Sequence, residues 1–205
     1  MPTITLIRHA ESEANAGLPT ESPASIRLTA RGHQQAAEFA VQYDATPDLI
    51  IVSPFLRTQQ TAVPLIARFP SIPVEEWPVH EFTYLNSLKY AGTTETERGV
   101  FAHEYWQRCD PRWNDGGGAK SFADLIARID DLKRRLCERR ESNILVFTHG
   151  YFIKVLLLRR EQASAPADAA FMAAFRDSRK NNPLPNMSIM HFHNSASLCN
   201  IQSHA

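Results

Sequence analysis

The chain lacks an excess of either charge: Lys+Arg and Asp+Glu both total 22, and the formal net charge is zero. Nothing at long range therefore draws it to nucleic acid or to an anionic membrane, both of which attract basic surfaces. No run approaches the roughly 18 apolar residues of a membrane span. Met1-Pro2-Thr3-Ile4-Thr5 carries neither a basic n-region nor an apolar h-region, so a cytoplasmic protein is expected. Cysteine is scarce. Cys109, Cys137 and Cys199 are odd in number and far apart, which suggests a reducing compartment rather than a disulfide framework. The same residues exclude cysteine-based phosphatase chemistry, which needs an arginine six positions after the nucleophile; Asp115, Asn143 and Ala205 stand there. A phosphate loop of the G-x-x-x-x-G-K type is missing, so nucleotide hydrolysis by that route is out. The zinc pattern H-E-x-x-H fails because Tyr84 occupies the second histidine position after His80-Glu81. His191-Phe192-His193 puts two imidazoles on one strand face, but no further ligand pattern accompanies them. Neither a metal nor a cofactor is expected.

What is present suffices for one domain over residues 1–205, with 43% hydrophobic residues to bury. Thr3 to Arg8, Leu49 to Val52, Ile144 to Phe147, Ser188 to His193 and Leu198 to Gln202 read as strands. Thr29 is placed to cap a helix reaching about Tyr43, with Ala36, Ala37, Ala40 and Val41 on one face. Ser53-Pro54 reads as an N-cap and first-turn proline for a helix to about Phe69, which Pro64 kinks or shortens. Ser121 with Asp124 forms a capping pattern ahead of the stripe Leu125, Ile129, Leu132 and Leu136. Further helices are predicted over Phe152–Leu158 and about Ala167–Ser178. Alternating strands and helices predict a three-layer α/β/α sandwich around a mostly parallel sheet. Residues 70–120 interrupt the pattern. Four prolines, all three tryptophans and Gly116-Gly117-Gly118 mark an irregular insertion with one helix at roughly 95–108. Its aromatics Trp77, Tyr84, Tyr90, Tyr105, Trp106 and Trp113 either wall a binding site or form a satellite core.

Two histidines stand at strand exits. Arg8-His9-Ala10-Glu11 follows Ile4-Thr5-Leu6-Ile7, and Thr148-His149-Gly150 follows Ile144-Leu145-Val146-Phe147. In open α/β sheets, ligands bind beyond the carboxyl ends of the strands. Helix starts there offer unpaired N–H groups and a positive dipole end to an anion. Two histidines, an arginine and an anion seat suggest phosphoryl chemistry with histidine as nucleophile. His9 attacks only through an unprotonated nitrogen, and Arg8 and Arg57 would hold it neutral while binding the phosphate dianion. His149 can donate a hydrogen bond to the transferring oxygens. Gly150 would allow an oxygen to approach the backbone closely, and Glu11 would orient an arginine.

These residues carry a resemblance. Arg8-His9-Ala10-Glu11-Ser12-Glu13-Ala14-Asn15 resembles the R-H-x-E-x-x-x-N signature of the histidine phosphatase superfamily, which includes the phosphoglycerate-mutase-like enzymes. Leu28-Thr29-Ala30-Arg31-Gly32-His33-Gln34-Gln35-Ala36 is similar to its L-T-x-x-G-x-x-Q-A helix start. Ser53-Pro54-Phe55-Leu56-Arg57-Thr58-Gln59-Gln60-Thr61-Ala62 is similar to its S-P-x-x-R-x-x-Q-T-A segment. Thr148-His149-Gly150 matches its second histidine, and Asn186-Met187-Ser188-Ile189 its late asparagine before a closing strand. The matches keep the family's order across nearly the whole chain.

The resemblance implies a phosphomonoester hydrolase that works through a phosphohistidine on His9, with a small phosphorylated molecule as its partner. It makes His9, His149 and Glu81 the expected catalytic residues. Arg8, Arg57, Asn15, Ser12 and Gly150 are the expected phosphate contacts. Glu81 lies where the family commonly carries its acid, just after the third strand, and a neighbouring dianion would favour its protonated form; Glu76, with Glu75 behind it, is the alternative. Ala119-Lys120-Ser121 departs from the family's frequent G-E-S turn. Two rival readings remain, a phosphoglycerate-mutase-type phosphotransferase and a non-catalytic phospho-ligand domain. The tryptophan that mutases usually place before the asparagine is replaced by Ala14, which favours the hydrolase.

Overall fold

The computed structural model describes residues 3–162, 165–181 and 183–193. In chain order they form β1 (Thr3–Arg8), α1 (Ala30–Gln42), β2 (Leu49–Val52), α2 (Leu56–Arg68), β3 (Val74–Glu76), α3 (Gly99–Arg108), α4 (Phe122–Glu138), β4 (Asn143–Thr148), α5 (Gly150–Glu161), α6 (Ala169–Asn181) and β5 (Ile189–His193). The strands make one sheet in the order β3-β2-β4-β1-β5, parallel except for β5. The predicted strand Leu198–Gln202 lies outside the described residues.

The inner strands are apolar on both faces, as a sheet covered on two sides requires. Side chains alternate along each strand, so neighbouring residues join different cores. Leu49, Ile51, Ile144 and Val146 pack under α4, α5 and α6, together with Leu125, Ile129, Phe152 and Phe175. Ile50, Val52, Leu145 and Phe147 pack under α1 and α2, with Phe39 and Leu65. That gives the expected three layers. Each such side chain, fully buried, contributes roughly 1.5–3 kcal/mol.

The helices start largely where their caps sit. The Thr29 hydroxyl accepts from Gly32 N, and Ser121 and Asp124 form the reciprocal capping box. On α1 the buried face is Ala36, Phe39 and Ala40, whereas Ala37 is exposed and Val41 is 77% exposed. Positions 37 and 41 lie one residue round the helix from that face, so the expected stripe was rotated. α2 begins at Leu56, capped by Phe55 without a side-chain bond, and runs through Pro64 to Arg68. Ser53 therefore does not cap it. Cys109 is a free thiol, but Cys137 is disulfide-bonded, contrary to the reading of the cysteines as unbridged.

Topology fixes where a ligand can sit. β1 and β4 are neighbours, with Arg8 opposite Thr148. The chain leaves β1 toward α1 on one face and leaves β4 toward α5 on the other. The two departures open a crevice at the strand ends, the switch point at which α/β sheets bind ligands. Gly32 tightens its rim: a Cβ there would lie 2.0 Å from the Glu11 carbonyl oxygen. Only glycine lets α1 begin against the loop that follows His9. The insertion divides its aromatics between two tasks. Trp77, Tyr105 and Trp106 sink into the core around Phe82 and Phe122, while Tyr84 and Tyr90 line the cavity.

Candidate active site

His9 continues β1 by one residue, its N–H donating to the Thr148 carbonyl at 3.0 Å. It is 3% exposed. Its Nδ1 lies 2.7 Å from the Ala10 carbonyl oxygen. A carbonyl can only accept, so Nδ1 carries the proton and the lone pair is on Nε2. That lone pair meets Arg57, whose Nε donates to it at 3.2 Å. Burial, then the charges of Arg57 and Arg8, push the His9 pKa well below its ordinary value, against the Ala10 carbonyl's opposite pull. The ring is neutral at physiological pH, with its lone pair on Nε2.

Arg57 comes from the first turn of α2 and also donates to the Pro23 carbonyl at 2.7 Å. Its guanidinium lies 5.1 Å from the Phe55 ring centre. Burial lowers its pKa to about 10, which leaves it charged at neutral pH. Arg8 donates to the Leu184 carbonyl, while its Nε is buried without a partner. Such an orphan costs about 1–3 kcal/mol, which an anion accepting from it would offset.

His149 is fully buried and tilted against His9, ring centres 5.2 Å apart. Its Nε2 lies 2.8 Å from Ser53 Oγ, which also accepts from the Phe55 amide. The remaining acceptor for the serine proton is the imidazole. Ser53 then donates to Nε2, and the proton of His149 sits on Nδ1, which has no partner. Burial, then Arg57 and His9, hold the pKa of this ring well below its usual range. The orphaned Nδ1–H is a neutral hydrogen-bond donor on a ring that packs against His9.

Glu81 follows β3 in the turn His80-Glu81-Phe82. Its carboxylate accepts from Phe82 N at 2.9 Å and from Tyr151 N, in the first turn of α5, at 3.2 Å. Its charge acts on Arg8, Arg57 and Arg128. Arg128, from α4, holds the turn by donating to the Pro78 and His80 carbonyls at 3.1 and 2.6 Å. The alternatives stand elsewhere. Glu76 accepts from Gln59 at 3.1 Å, and Glu75 pairs with Arg139 and Trp77; neither lines the cavity.

Asn15 Oδ1 collects donors from Ser12 N, Ser12 Oγ and Asn186 Nδ2 at 3.0–3.2 Å. The amide's Nδ2 is thereby the end left to donate. Ser12 spends its hydroxyl proton on Asn15. Gly150 opens α5 beside Arg8, and a Cβ there would make only ordinary contact, 3.4 Å from Arg8 Nε, so steric necessity does not explain the glycine. Glu11 pairs with Arg31 at 3.4 Å, as expected. Arg8, Ser12, Asn15, Arg57, Glu81 and Gly150 all line one cavity of about 420 Å³. His9 and His149 are buried and do not themselves line it; Arg57, which does, bonds His9 Nε2. Among the described residues no group of three His, Cys, Asp or Glu gathers as a metal site.

Sequence reasoning missed three contributors. Ser53 was read as a helix cap, yet it sets the tautomer of His149. Phe55 was not singled out, yet its ring packs on Arg57, His149 and His80. Arg128 gave no local signal, since its target lies about fifty residues earlier in the chain.

The histidine phosphatase superfamily (branch 1) model matches residues 4–173. No curated protein matches the chain. Among solved structures, the alpha-ribazole phosphatase from Shigella flexneri superposes with a TM-score of 0.71 at 22% identity, over 93% of this chain and 90% of its own. The phosphoserine phosphatase from Entamoeba histolytica, in complex with 3-phosphoglyceric acid, gives 0.70 at 24% identity over 94% and 91%. A mycobacterial glucosyl-3-phosphoglycerate phosphatase gives 0.68 at 22% identity over 93% and 89%. At these identities the likeness is one of fold.

Proposed function

We propose, since this chain belongs to the histidine phosphatase superfamily (branch 1), that it hydrolyses a phosphomonoester through a phosphohistidine on His9. The carrying observation is a buried imidazole lone pair, His9 Nε2, bonded by Arg57 at 3.2 Å, with the ring of His149 at 5.2 Å and buried, unpartnered nitrogens on both Arg8 and His149. Buried donors without acceptors are costly, and a phosphoryl group supplies acceptors to both.

In the resting arrangement Arg57 occupies the lone pair. A phosphate dianion is the better acceptor for a guanidinium, so binding draws Arg57 onto the phosphate and frees Nε2. The nitrogen then forms a bond to phosphorus as the bond to the ester oxygen breaks, and Glu81 gives that oxygen its proton. Arg8, Arg57 and the His149 Nδ1–H stabilise the charge on the transferring oxygens. In the second displacement Glu81 takes a proton from water, the water oxygen attacks phosphorus, and the N–P bond breaks. The arginines supply the positive charge that metal ions supply in other phosphoryl-transfer sites, so chelation should leave turnover intact.

The test is trapping of the intermediate. Labelled substrate quenched without acid should give an acid-labile, alkali-stable phosphoprotein, and His9→Ala should abolish it. Label that persists in His9→Ala refutes the assignment. Free phosphate should equal ester consumed with or without added phosphoglycerate. Exchange of phosphate between positions of a phosphoglycerate, with little phosphate released, would establish a mutase instead.

A further inference from the structure

The cavity that receives the scissile phosphate continues past Arg8 along a wall made by α5 and α6, where two more cations stand. Lys154 is one turn beyond Gly150, and Arg179 lies near the end of α6; both line the cavity. Lys154 Nζ donates to the Arg179 carbonyl at 3.0 Å, which uses one of its three protons. The Arg179 guanidinium lies 4.5 Å from the Trp106 ring centre and 5.8 Å from that of Tyr151. Its Nη1 donates to the Tyr151 hydroxyl at 2.8 Å, and its Nε is buried without a partner.

Neither cation has a carboxylate within salt-bridge range among the described residues. Burial, then the charges of Arg8 and Arg179, push the Lys154 pKa down. Three cations thus share one wall; Glu81 and Glu95, which line the same cavity, offset Arg8, and Glu81 offsets Lys154, through space only, so that Arg179 Nε still lacks a partner. A guanidinium held against aromatic rings loses little freedom on binding, so it suits a planar, two-oxygen acceptor. One phosphoryl group engages Arg8 and Arg57 and leaves the α5–α6 pair unanswered.

We propose that Lys154 and Arg179 form a second anion subsite beside the scissile phosphate, so that the substrate is a phosphomonoester carrying a further carboxylate or phosphate. The proposal rests on the hydrolase reading of the same cavity. The competing explanation is mechanical: the pair merely closes the end of α6 and packs on Trp106.

The experiment compares kcat/KM within two matched pairs of esters. The first is 3-phosphoglycerate against glycerol 3-phosphate, which replaces the carboxylate by an alcohol. The second is fructose 1,6-bisphosphate against fructose 6-phosphate. The anionic member of at least one pair should be favoured by about tenfold or more, the worth of one charge-assisted hydrogen bond. Which pair shows the preference tells carboxylate from phosphate. Lys154→Met and Arg179→Met should bring that ratio close to one, and Arg179→Lys should retain part of it. A ratio cancels any damage common to both esters, so a purely mechanical role would leave it unchanged.

Ratios near one for both pairs in the wild-type protein, or a wild-type preference that survives both Met variants, would overturn the subsite. Failure to turn over any ester, p-nitrophenyl phosphate included, would fall on the hydrolase reading instead. The subsite would then be read by calorimetry, as tighter binding of 3-phosphoglycerate than of glycerol 3-phosphate that both Met variants lose. Equal binding would overturn it.

Discussion

Mild acid should destabilise this protein through its histidines. Burial, then nearby cations, hold His9 and His149 well below their ordinary pKa, and burial with Arg128 and Lys120 lowers His80 to about 4. In the unfolded chain each titrates near 6.5. Below that pH the unfolded state binds protons that the folded state refuses, so stability falls as pH falls. His80 contributes between about 6.5 and 4, and the other two over a window that opens at the same upper limit. From pH 7.5 to 5.5 a histidine kept neutral by burial costs at most about 1.4 kcal/mol, and half-buried His80 less because solvent screens it, so the three together cost at most about 4 kcal/mol. Domains of this kind are stable by only about 5–15 kcal/mol, so much of the margin is lost. Urea unfolding at the two pH values measures the loss, and His80→Gln should reduce it by less than a third, since His80 is the least buried of the three. A stability that stays level or rises between pH 7.5 and 5.5 refutes the burial argument.

Glu81→Gln should slow hydrolysis of an ester with a poor leaving group by about 10²–10⁴-fold. The loss should shrink for p-nitrophenyl phosphate, whose leaving group needs no proton; equal losses would assign Glu81 a structural role. Ser53→Ala should leave His149 Nε2 without a partner, costing about 1–3 kcal/mol in urea unfolding, and should lower kcat on the order of tenfold as the Nδ1 tautomer loses its support. An unchanged kcat would separate the serine from catalysis. Gly32→Ala improves intrinsic helix propensity by about 1 kcal/mol, yet the 2.0 Å approach to the Glu11 carbonyl should outweigh that gain and lower the Tm. A raised Tm would show that the rim gives way freely.

Legibility in the sequence followed locality. Strands buried on both faces announce themselves as apolar runs, and caps such as Thr29 and Ser121 are read within four residues. Arg8, His9, Arg57 and His149 were legible because each follows a strand exit whose spatial neighbour the topology fixes. What escaped depends on distance along the chain. The duty of Ser53 is set by a bond to His149, 96 residues away, and no pattern around Ser-Pro distinguishes that bond from a helix cap. Arg128 sits on the flank of a stripe read for its leucines and isoleucines, so its reach to the Glu81 turn was hidden by an ordinary amphipathic pattern. The rotated face of α1 was a smaller miss: small alanines fit either side of a helix, and Phe39 decided which side turned inward.

The anchoring of His9 has a consequence for the order in which the molecule matures. Its carbonyl accepts from Asn186 Nδ2 at 3.0 Å across 177 positions of chain, and from Met187 N at 3.4 Å. His9 is thus seated only when a segment far along the chain has docked on it. Contacts of such long separation carry the heaviest loop-closure entropy and form late. During refolding, helical signal and the α4–α5–α6 core should return ahead of phosphatase turnover, with a measurable lag between them. Chains released before residue 186 would hold their arginines and both histidines, yet hydrolyse nothing.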